Sequence, residues 1–336
     1  MPIESYQSAS ENQRSVTPRS LRLFPNPSHL RAVLQALFVT FLWATSWVLI
    51  KFGLQDLPAL TFAGLRYALA FLCLLPFTLR SAHFNALRAL SGREWIQLAA
   101  LGLLFYSLTQ GAQFLGLAYL PAVTVSLLLN FTTIVVALLG LALLAERPAR
   151  QQWLGIGLNL AGILIYFYPV ALPADQRTGL AIVGVGVLAN ALSSILGRQA
   201  NQAANLSPLV VTTVSMGVGA LVLLLVGVIT QGWPRLNLAH WAMILWLAVV
   251  NTAFAFTLWN HTLRTLSATE SSIINSTMLV QIALLAWVFL GERITPPEGF
   301  GMALAALGVL LVQLRRSEAV TSDPQGALGR VRSRQR

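Results

Sequence analysis

The 336-residue chain is 56% hydrophobic and only 10% charged, and its formal net charge is +11. Soluble domains carry about 25% charged residues, so this composition excludes a water-soluble globular protein and indicates an integral membrane protein. The basic residues lie at the edges of apolar segments and in the tails, which favours membrane topology over nucleic-acid binding as their role. Cys73 is the only cysteine and lies in an apolar run, so neither a disulfide framework nor a cysteine-rich metal site is predicted.

Ten apolar segments follow one another between two polar tails. Residues 1–30 are interpreted as a disordered cytoplasmic tail, and residues 315–336 form a second polar, basic tail. Each segment is roughly 18 residues or longer, which is enough to cross about 30 Å of hydrocarbon as a helix. The predicted spans are 32–53, 59–79, 95–117, 122–144, 151–169, 178–198, 208–230, 239–261, 268–290 and 298–314.

The distribution of basic residues orients these spans. Ten spans place both termini on one side of the membrane. With the termini inside, the inner segments hold 17 basic residues, whereas the outer segments hold four, and Arg66 is the remaining one. The outer four are Lys51, Arg177, Arg235 and Arg293. Because positive charge favours the cytoplasmic side, both termini are predicted to be cytoplasmic and the chain to be a multi-pass protein of the cell (inner) membrane.

The sequence repeats itself at an offset of 146 positions. Between residues 117 and 164 there are about 14 identities in about 48 positions without a gap. The most telling coincidences are a Glu-Arg pair and two glycines: Glu146-Arg147 with Glu292-Arg293, Gly155 with Gly301, and Gly162 with Gly308. The chain is therefore two copies of a five-span unit, residues 31–170 and 178–314. Because five is odd, the second copy is inverted in the membrane, a plan that recurs among secondary transporters.

Short motifs occur in a fixed order between residues 31 and 314. They are Trp43-x-x-Ser46 with Lys51, Pro58 with Leu65-Arg66, Leu144-Ala145-Glu146-Arg147 with Gly155 and Gly162, and the echo Leu290-Gly291-Glu292-Arg293 with Gly301 and Gly308. On these motifs the chain resembles the EamA family of the drug/metabolite transporter superfamily, in its ten-helix branch. That family often carries a proline in the middle of the fourth and ninth spans. Here the corresponding stretches, 130–133 and 278–280, contain none, so no proline-induced helix break is predicted there.

Polar side chains at mid-membrane depth are the candidate substrate-binding residues, because hydrocarbon offers them no water. Tyr106, Gln110 and Gln113 follow i, i+4 and i+7 and so share one helix face. Amides occur in six other spans, at Asn130, Asn159, Asn190, Asn251, Asn275 and Gln281. The alternative for any single amide is an interhelical hydrogen bond that only holds the bundle together. Because seven spans carry such groups, we expect some of them to face a central cavity.

Arg66 is the one charge clearly inside a span, about 10 Å from its outer edge at 1.5 Å per residue. It either snorkels outward or pairs with Asp56, or it binds a substrate carboxylate. Glu270 lies near the start of the ninth span and is interpreted as a solvated carboxylate at the positive helix end. Trp43 and Trp47 share a helix face, and they either pack against other helices or form a stacking wall for a planar or apolar part of the substrate.

Several sequence motifs of ATP-binding proteins, proteases and esterases are absent. The sequence contains no G-x-x-x-x-G-K-[ST] loop, no H-E-x-x-H pair, no G-x-S-x-G elbow and no paired intramembrane Asp. The chain is thus predicted to be an all-α integral membrane protein, not an enzyme, with ten transmembrane helices in two inverted repeats and no cofactor. We expect a secondary transporter of small metabolites that works by alternating access. Its partners are a small-molecule substrate and the lipid bilayer, not nucleic acid.

The resemblance implies the substrate class and the direction: export of amino acids or related amphipathic compounds. Amide-rich cavities also suit zwitterions. The alternative from another class is an integral membrane enzyme that acts on lipid or isoprenoid substrates, which would need titratable side chains clustered at one membrane depth. A third possibility, a structural or regulatory membrane subunit, predicts polar residues without a shared cavity.

Overall fold

The computed structural model describes residues 27–144, 150–168, 174–202, 207–262, 265–266 and 268–321. Within these ranges the chain is almost entirely helical and contains no strand. Ten helical spans correspond to the ten predicted ones. The first five are Pro27–Gly53, Ala59–Thr78, Gly92–Tyr119, Ala122–Leu144 and Arg150–Tyr166. The last five are Ala174–Gln202, Pro208–Gln231, Leu238–Thr262, Ala268–Leu290 and Pro296–Thr321.

The lengths and hydropathies of these helices fit a membrane protein. Within the part of the chain that the structure describes, 7 helices are long and apolar enough to cross a membrane. Three further apolar helices are shorter, Ala122–Val136, Trp153–Tyr166 and Pro296–Leu311, and they stand at the fourth, fifth and tenth spans. The all-helical, multi-span fold class predicted from the sequence is confirmed.

Most boundaries agree with the predicted spans, but three details differ. The first helix begins at Pro27, inside the predicted tail, and the last continues past residue 314 to Thr321. An additional short helix, Ser81–Arg88, lies between the second and third spans. It was missed because eight residues carry too little periodic signal to separate a helix from a polar loop. The repeated pair Glu146-Arg147 lies outside the described residues.

The helix contacts come in pairs that the repeat relates. The second span packs along the seventh, and the fifth packs along the tenth. In each pair the two spans occupy equivalent positions in the two repeats. Likewise, the contact of the first span with the ninth corresponds to that of the sixth with the fourth. Both of these contacts between equivalent spans need glycine. A Cβ on Gly162 would lie 2.4 Å from the backbone nitrogen of Ala305, and one on Gly64 would lie 2.5 Å from the Cα atom of Leu224.

The third and eighth spans each contain a π-helical turn at the same place in the repeat. These turns are Leu103–Thr109 and Val249–Phe254, whose first residues are 146 positions apart. In each turn a threonine hydroxyl donates to the carbonyl oxygen five residues earlier, from Thr109 and from Thr252, over 2.8 Å in both cases. A π-helical turn leaves carbonyl groups without their usual partners and often marks a functional site.

The fourth span breaks where the family's proline is absent. One helix ends at Asn130 and the next begins at Thr132, with Phe131 in a turn between them. The Asn130 side chain lies at this break, and its Nδ2 donates to the carbonyl oxygen of Ser126 over 2.8 Å. That carbonyl is the one that a continuous helix would pair with the backbone N–H of Asn130. The helix is thus interrupted here without a proline, and an asparagine stands at the interruption.

Candidate functional site

The Arg66 side chain lies inside the bundle and pairs with no carboxylate of the described residues. It is 5% exposed, which argues against snorkelling to the membrane edge. Its Nε donates to the hydroxyl of Thr252 in the eighth span over 3.3 Å, and its Cζ lies 5.2 Å from the centroid of the Tyr67 ring. Asp56, the alternative partner expected from the sequence, instead lies 3.3 Å from Nε2 of His240. No carboxylate of the described residues therefore lies in an ion pair with this guanidinium.

A polar chain continues from this arginine into the third span. The Tyr67 hydroxyl donates to Oε1 of Gln110 over 2.7 Å. The Tyr67 ring also meets the Tyr106 ring edge to face, with centroids 5.5 Å apart. Three of the residues singled out from the sequence, Arg66, Tyr106 and Gln110, thus belong to one network across the second, third and eighth spans. Because Tyr67 and Thr252 are ordinary span residues in the sequence, nothing there marked them as the links.

A crevice adjoins this network between the second, seventh and eighth spans. Its volume is about 300 Å³, and its walls include Leu74, Met216, Thr252, Phe256 and His261. Thr252 belongs both to the crevice wall and to the Arg66 network. The crevice runs along the part of the eighth span that ends at His261, which the predicted topology places at the cytoplasmic side. It combines apolar walls with hydroxyl groups, as sites for small amphipathic molecules do.

Two further candidates, Trp43 and Asn251, carry buried polar atoms without hydrogen-bond partners in the described part of the chain. The Trp43 ring lies 5.2 Å from the ring of Phe256, which lines the crevice, and 5.3 Å from that of Trp259. Asn251 is fully buried, and its Nδ2 donates to the carbonyl oxygen of Leu42 and to the hydroxyl of Thr45. Nε1 of the tryptophan and Oδ1 of the asparagine are buried and have no hydrogen-bond partner within the described ranges. Such atoms are rare in folded proteins unless a ligand or water reaches them.

The remaining candidates lie elsewhere. Trp47 is 6% exposed and belongs to the apolar core. Asn130 bonds within its own helix, as described above, and Asn190 donates to the hydroxyl of Thr132 over 3.3 Å, which links the sixth span to the fourth. Asn275 is exposed, and no hydrogen bond of its side chain occurs in the described part of the chain. The structure does not bring these four residues into the Arg66 network.

At the opposite end of the bundle, Lys51 holds the connection between the third and fourth spans. This connection, residues 120–121, is short and ends the third span at Tyr119. Nζ of Lys51 donates to the carbonyl oxygens of Leu117 and Leu120 over 2.6 and 2.7 Å. Leu117 lies in the last turn of the third span and Leu120 directly follows that turn, where helix carbonyls lack intrahelical partners. A cation there also complements the negative end of the helix dipole.

Glu292 holds the other side of the same connection. Its two carboxylate oxygens accept hydrogen bonds from the backbone nitrogens of Ala122 and Val123, over 2.7 and 3.1 Å. These nitrogens open the fourth span, so a carboxylate from the second repeat caps a helix of the first. We call this arrangement of Lys51, Glu292 and residues 120–121 the linker clamp. Lys51 and Glu292 are both recognisable as motif residues in the sequence. The sequence does not show that both hold the connection between the third and fourth spans.

Comparison with known proteins agrees with this architecture. The model of the EamA-like transporter family matches residues 30–168 and 177–314, which correspond to the two repeats. An "Uncharacterized transporter" of Archaeoglobus fulgidus is 25% identical over 82% of this chain and 95% of its own length. The "Uncharacterized transporter YoaV" of Bacillus subtilis is 22% identical over 84% of this chain and 96% of its own length.

Two further similarities point the same way. The "Uncharacterized inner membrane transporter YedA" of Escherichia coli K12 is 24% identical over 83% of this chain and 90% of its own length. A crystal structure that shares 17% identity superposes with a TM-score of 0.60, over 84% of this chain and 98% of the other, and this similarity concerns the fold alone. The chain therefore belongs to the EamA-like transporter family and is a multi-pass membrane transporter rather than an enzyme.

Proposed function

We propose that the protein is a secondary transporter of small metabolites that carry a carboxylate, with amino acids and related amphipathic compounds as the leading class. The observation that carries this proposal is Arg66, a buried guanidinium beside an open crevice with no carboxylate partner among the described residues. An unpaired charge in this position is costly, by about 2.5–3.5 kcal/mol at a helix centre on insertion scales. A substrate carboxylate would offset that cost, because a guanidinium can grip it through two parallel hydrogen bonds.

The groups around the crevice favour an amphipathic substrate over a simple anion. The unpartnered Oδ1 of Asn251 is an acceptor suited to an ammonium group, whereas Nε1 of Trp43 is a donor suited to an oxygen. The rings of Trp43 and Phe256 offer an apolar surface next to these polar atoms. These groups favour a substrate that has a carboxylate, an ammonium group and a short apolar part.

Alternating access between the inverted repeats would move this substrate across the membrane. The linker clamp joins the repeats at the end predicted to face outward, because Glu292 of the second repeat bonds the first turn of the fourth span. The crevice lies on the side of His261, at the end predicted to face the cytoplasm. This combination supports an inward-open state in which the outer end is closed. Opening to the outside would require the clamp to release residues 120–121.

The proposal also covers the membrane that holds the protein and the direction of net transport. We place the protein in the inner membrane with both termini cytoplasmic, because basic residues concentrate in the segments on that side. Net export is the direction that the family resemblance implies. The lack of a nucleotide-binding loop in the sequence supports secondary rather than ATP-driven transport.

The test combines metabolite profiling with one conservative substitution. Uptake and efflux by vesicles that contain the protein identify a transported compound, and its affinity is then measured in Arg66→Lys. Lysine keeps the charge but lacks the planar fork, so we expect normal membrane insertion and an affinity lower by about tenfold to a hundredfold. Gln110→Ala should lower the affinity for the same compound by a smaller factor, because a neutral hydrogen bond contributes about 0.5–1.5 kcal/mol.

Arg235→Lys serves as the matched control, since Arg235 follows the seventh span and lies outside the Arg66 network. We expect it to leave the affinity unchanged. Wild-type affinity in Arg66→Lys would show that Arg66 has only a structural role. A profile in which no carboxylate compound moves would overturn the proposed substrate class itself.

A further inference from the structure

The short helix Ser81–Arg88 is built to lie at the surface of the membrane rather than to cross it. It has only 8 residues. On one side, Ala86 and Leu87 pack against a small core formed by the third, sixth and seventh spans. Asn85 and Arg88 of the same helix are exposed, so the helix is amphipathic. It therefore fixes the chain between the second and third spans at one edge of the bundle.

Three exposed arginines surround this helix and form no ion pair with the described residues. They are Arg80 just before it, Arg88 at its end, and Arg93 at the start of the third span. Cζ of Arg80 lies 5.2 Å from the centroid of the Phe77 ring, and Cζ of Arg88 lies 4.4 Å from that of Phe84. Stacking on a ring orients a guanidinium and leaves its N–H edges available to an anion.

Glu94, the acidic residue nearest to these arginines in the sequence, forms no ion pair with them. The carboxylate of Glu94 accepts hydrogen bonds from the backbone nitrogen and the hydroxyl of Ser91, both over 2.7 Å. These contacts complete the capping box of the third span, so the carboxylate serves its own helix. The three guanidinium groups together present a positive surface at the membrane edge.

An apolar groove begins beside the same helix and runs between the second and seventh spans. It has a volume of about 480 Å³ and is lined by Phe71, Leu75, Thr78, Leu87, Trp95 and Val218, among others. Its two threonines do not call for a polar ligand, since the hydroxyls of Thr78 and Thr213 bond each other over 2.8 Å. The rims carry Leu72 and Leu221, which are 54% and 59% exposed. The groove is thus apolar and accessible from the outer surface of the bundle.

The three arginines are close in the chain to residues that line this groove. Arg80 is two residues from Thr78, Arg88 is adjacent to Leu87, and Arg93 is two residues from Trp95; all three neighbours line the groove. We propose that the groove and the three arginines form a binding site for one anionic phospholipid. The acyl chain lies along the second and seventh spans, and the phosphate headgroup contacts the guanidinium groups. A zwitterionic lipid fits the groove equally well but lacks the net charge that the arginines select.

Charge rather than groove size distinguishes this site. A larger apolar groove of about 670 Å³ lies between the ninth and tenth spans, and Arg293 is the only charged residue in its walls. Each arginine near an anionic lipid contributes about 1 kcal/mol, which is about fivefold in affinity. Three arginines together should favour the anionic lipid by roughly a hundredfold, whereas a single one at the other groove should select little.

The experiment uses the full chain purified in detergent, with phosphatidylglycerol and phosphatidylcholine of identical acyl chains as probes. Native mass spectrometry counts the lipid molecules that remain bound. We expect one retained phosphatidylglycerol per protein and no comparable retention of phosphatidylcholine. The triple variant R80Q/R88Q/R93Q should lower the apparent affinity for phosphatidylglycerol by roughly a hundredfold. The matched control R293Q, at the other groove, should leave it unchanged.

A second variant tests the groove independently of charge. Val218→Trp places a large side chain in the groove and should abolish lipid retention with all three arginines intact. If this variant does not fold, Leu221→Trp on the exposed rim replaces it. Equal retention of the two lipids, unchanged affinity in the triple variant, or unchanged retention with the groove filled would each overturn the proposal.

Discussion

Replacing Glu292 with glutamine tests the linker clamp. The substitution keeps the size of the side chain but removes its charge and turns one of its two acceptor oxygens into an amide donor. In the structure both oxygens accept backbone N–H groups, from Ala122 and Val123. Glutamine can keep one of these bonds in neutral form and must lose the other. The closed clamp should therefore be weakened while the helices that form it remain intact.

The magnitude follows from the bonds lost. A charge-assisted hydrogen bond contributes about 1.5–3 kcal/mol, and a carboxylate at a helix N-terminus contributes about 0.3–1 kcal/mol more. Glutamine retains one neutral bond, so the closed clamp should be destabilised by about 2–4 kcal/mol relative to the released linker. Since every 1.4 kcal/mol is tenfold, the population with a released linker should rise by about thirtyfold to several hundredfold.

Thiol labelling can measure this population directly. Leu120 is 1% exposed inside the clamped linker, whereas the neighbouring Tyr119 is 48% exposed. In a Cys73→Ala background, a cysteine at position 120 should react slowly with a thiol reagent, and Glu292→Gln should accelerate the reaction. A cysteine at position 119 should react at the same rate with or without this substitution. Transport should change together with the labelling rate at position 120.

Glu298→Gln provides the matched control. Its carboxylate also accepts hydrogen bonds near a helix start, from the backbone nitrogen and the hydroxyl of Thr295 over 2.7 and 2.9 Å. These contacts stay within three residues of the same repeat, so labelling at position 120 should not change. The reasoning is refuted if Glu298→Gln accelerates labelling as much as Glu292→Gln does, or if Glu292→Gln leaves it at the wild-type rate.

Three further predictions follow. A cysteine in place of Arg88 in the Cys73→Ala background should resist an impermeant thiol reagent in intact cells and react after permeabilisation; labelling in intact cells would contradict the predicted orientation. Gly162→Val should destabilise the protein by about 1–3 kcal/mol in thermal unfolding in detergent, because its Cβ would meet the backbone nitrogen of Ala305 at 2.4 Å. Transport should continue in ATP-free vesicles, and any dependence on a proton gradient should be lost in Glu270→Gln; a dependence that survives this substitution would exclude Glu270 as the coupling group.

The sequence alone was sufficient for the membrane class, the span positions and the duplication. Hydrocarbon forces each span to satisfy its backbone internally, so runs of apolar residues identify helices with little help from tertiary contacts. The fourth span, predicted at 122–144, begins at Ala122 in the structure, and the ninth, predicted at 268–290, ends at Leu290. Arg66 could also be recognised in advance, since a charge within a span is costly wherever its partners lie.

Local departures from regular helix were beyond the sequence. At the break around Phe131 the Asn130 side chain bonds back to its own helix, and in the π-helical turns Leu103–Thr109 and Val249–Phe254 a threonine hydroxyl reaches the carbonyl five residues earlier. A rotamer decides each of these bonds, and residue type does not specify the rotamer.

Which side chains meet was decided only by the tertiary structure. Asn190 and Asn251 look alike in the sequence, yet one links the sixth span to the fourth and the other lies beside the Arg66 network. In a membrane the apolar faces of helices are nearly interchangeable, so hydrophobicity does not select helix neighbours. Close contacts at glycines such as Gly64 and Gly162 bring particular spans together, and in the resulting bundle Arg66 meets Thr252 and not Asp56.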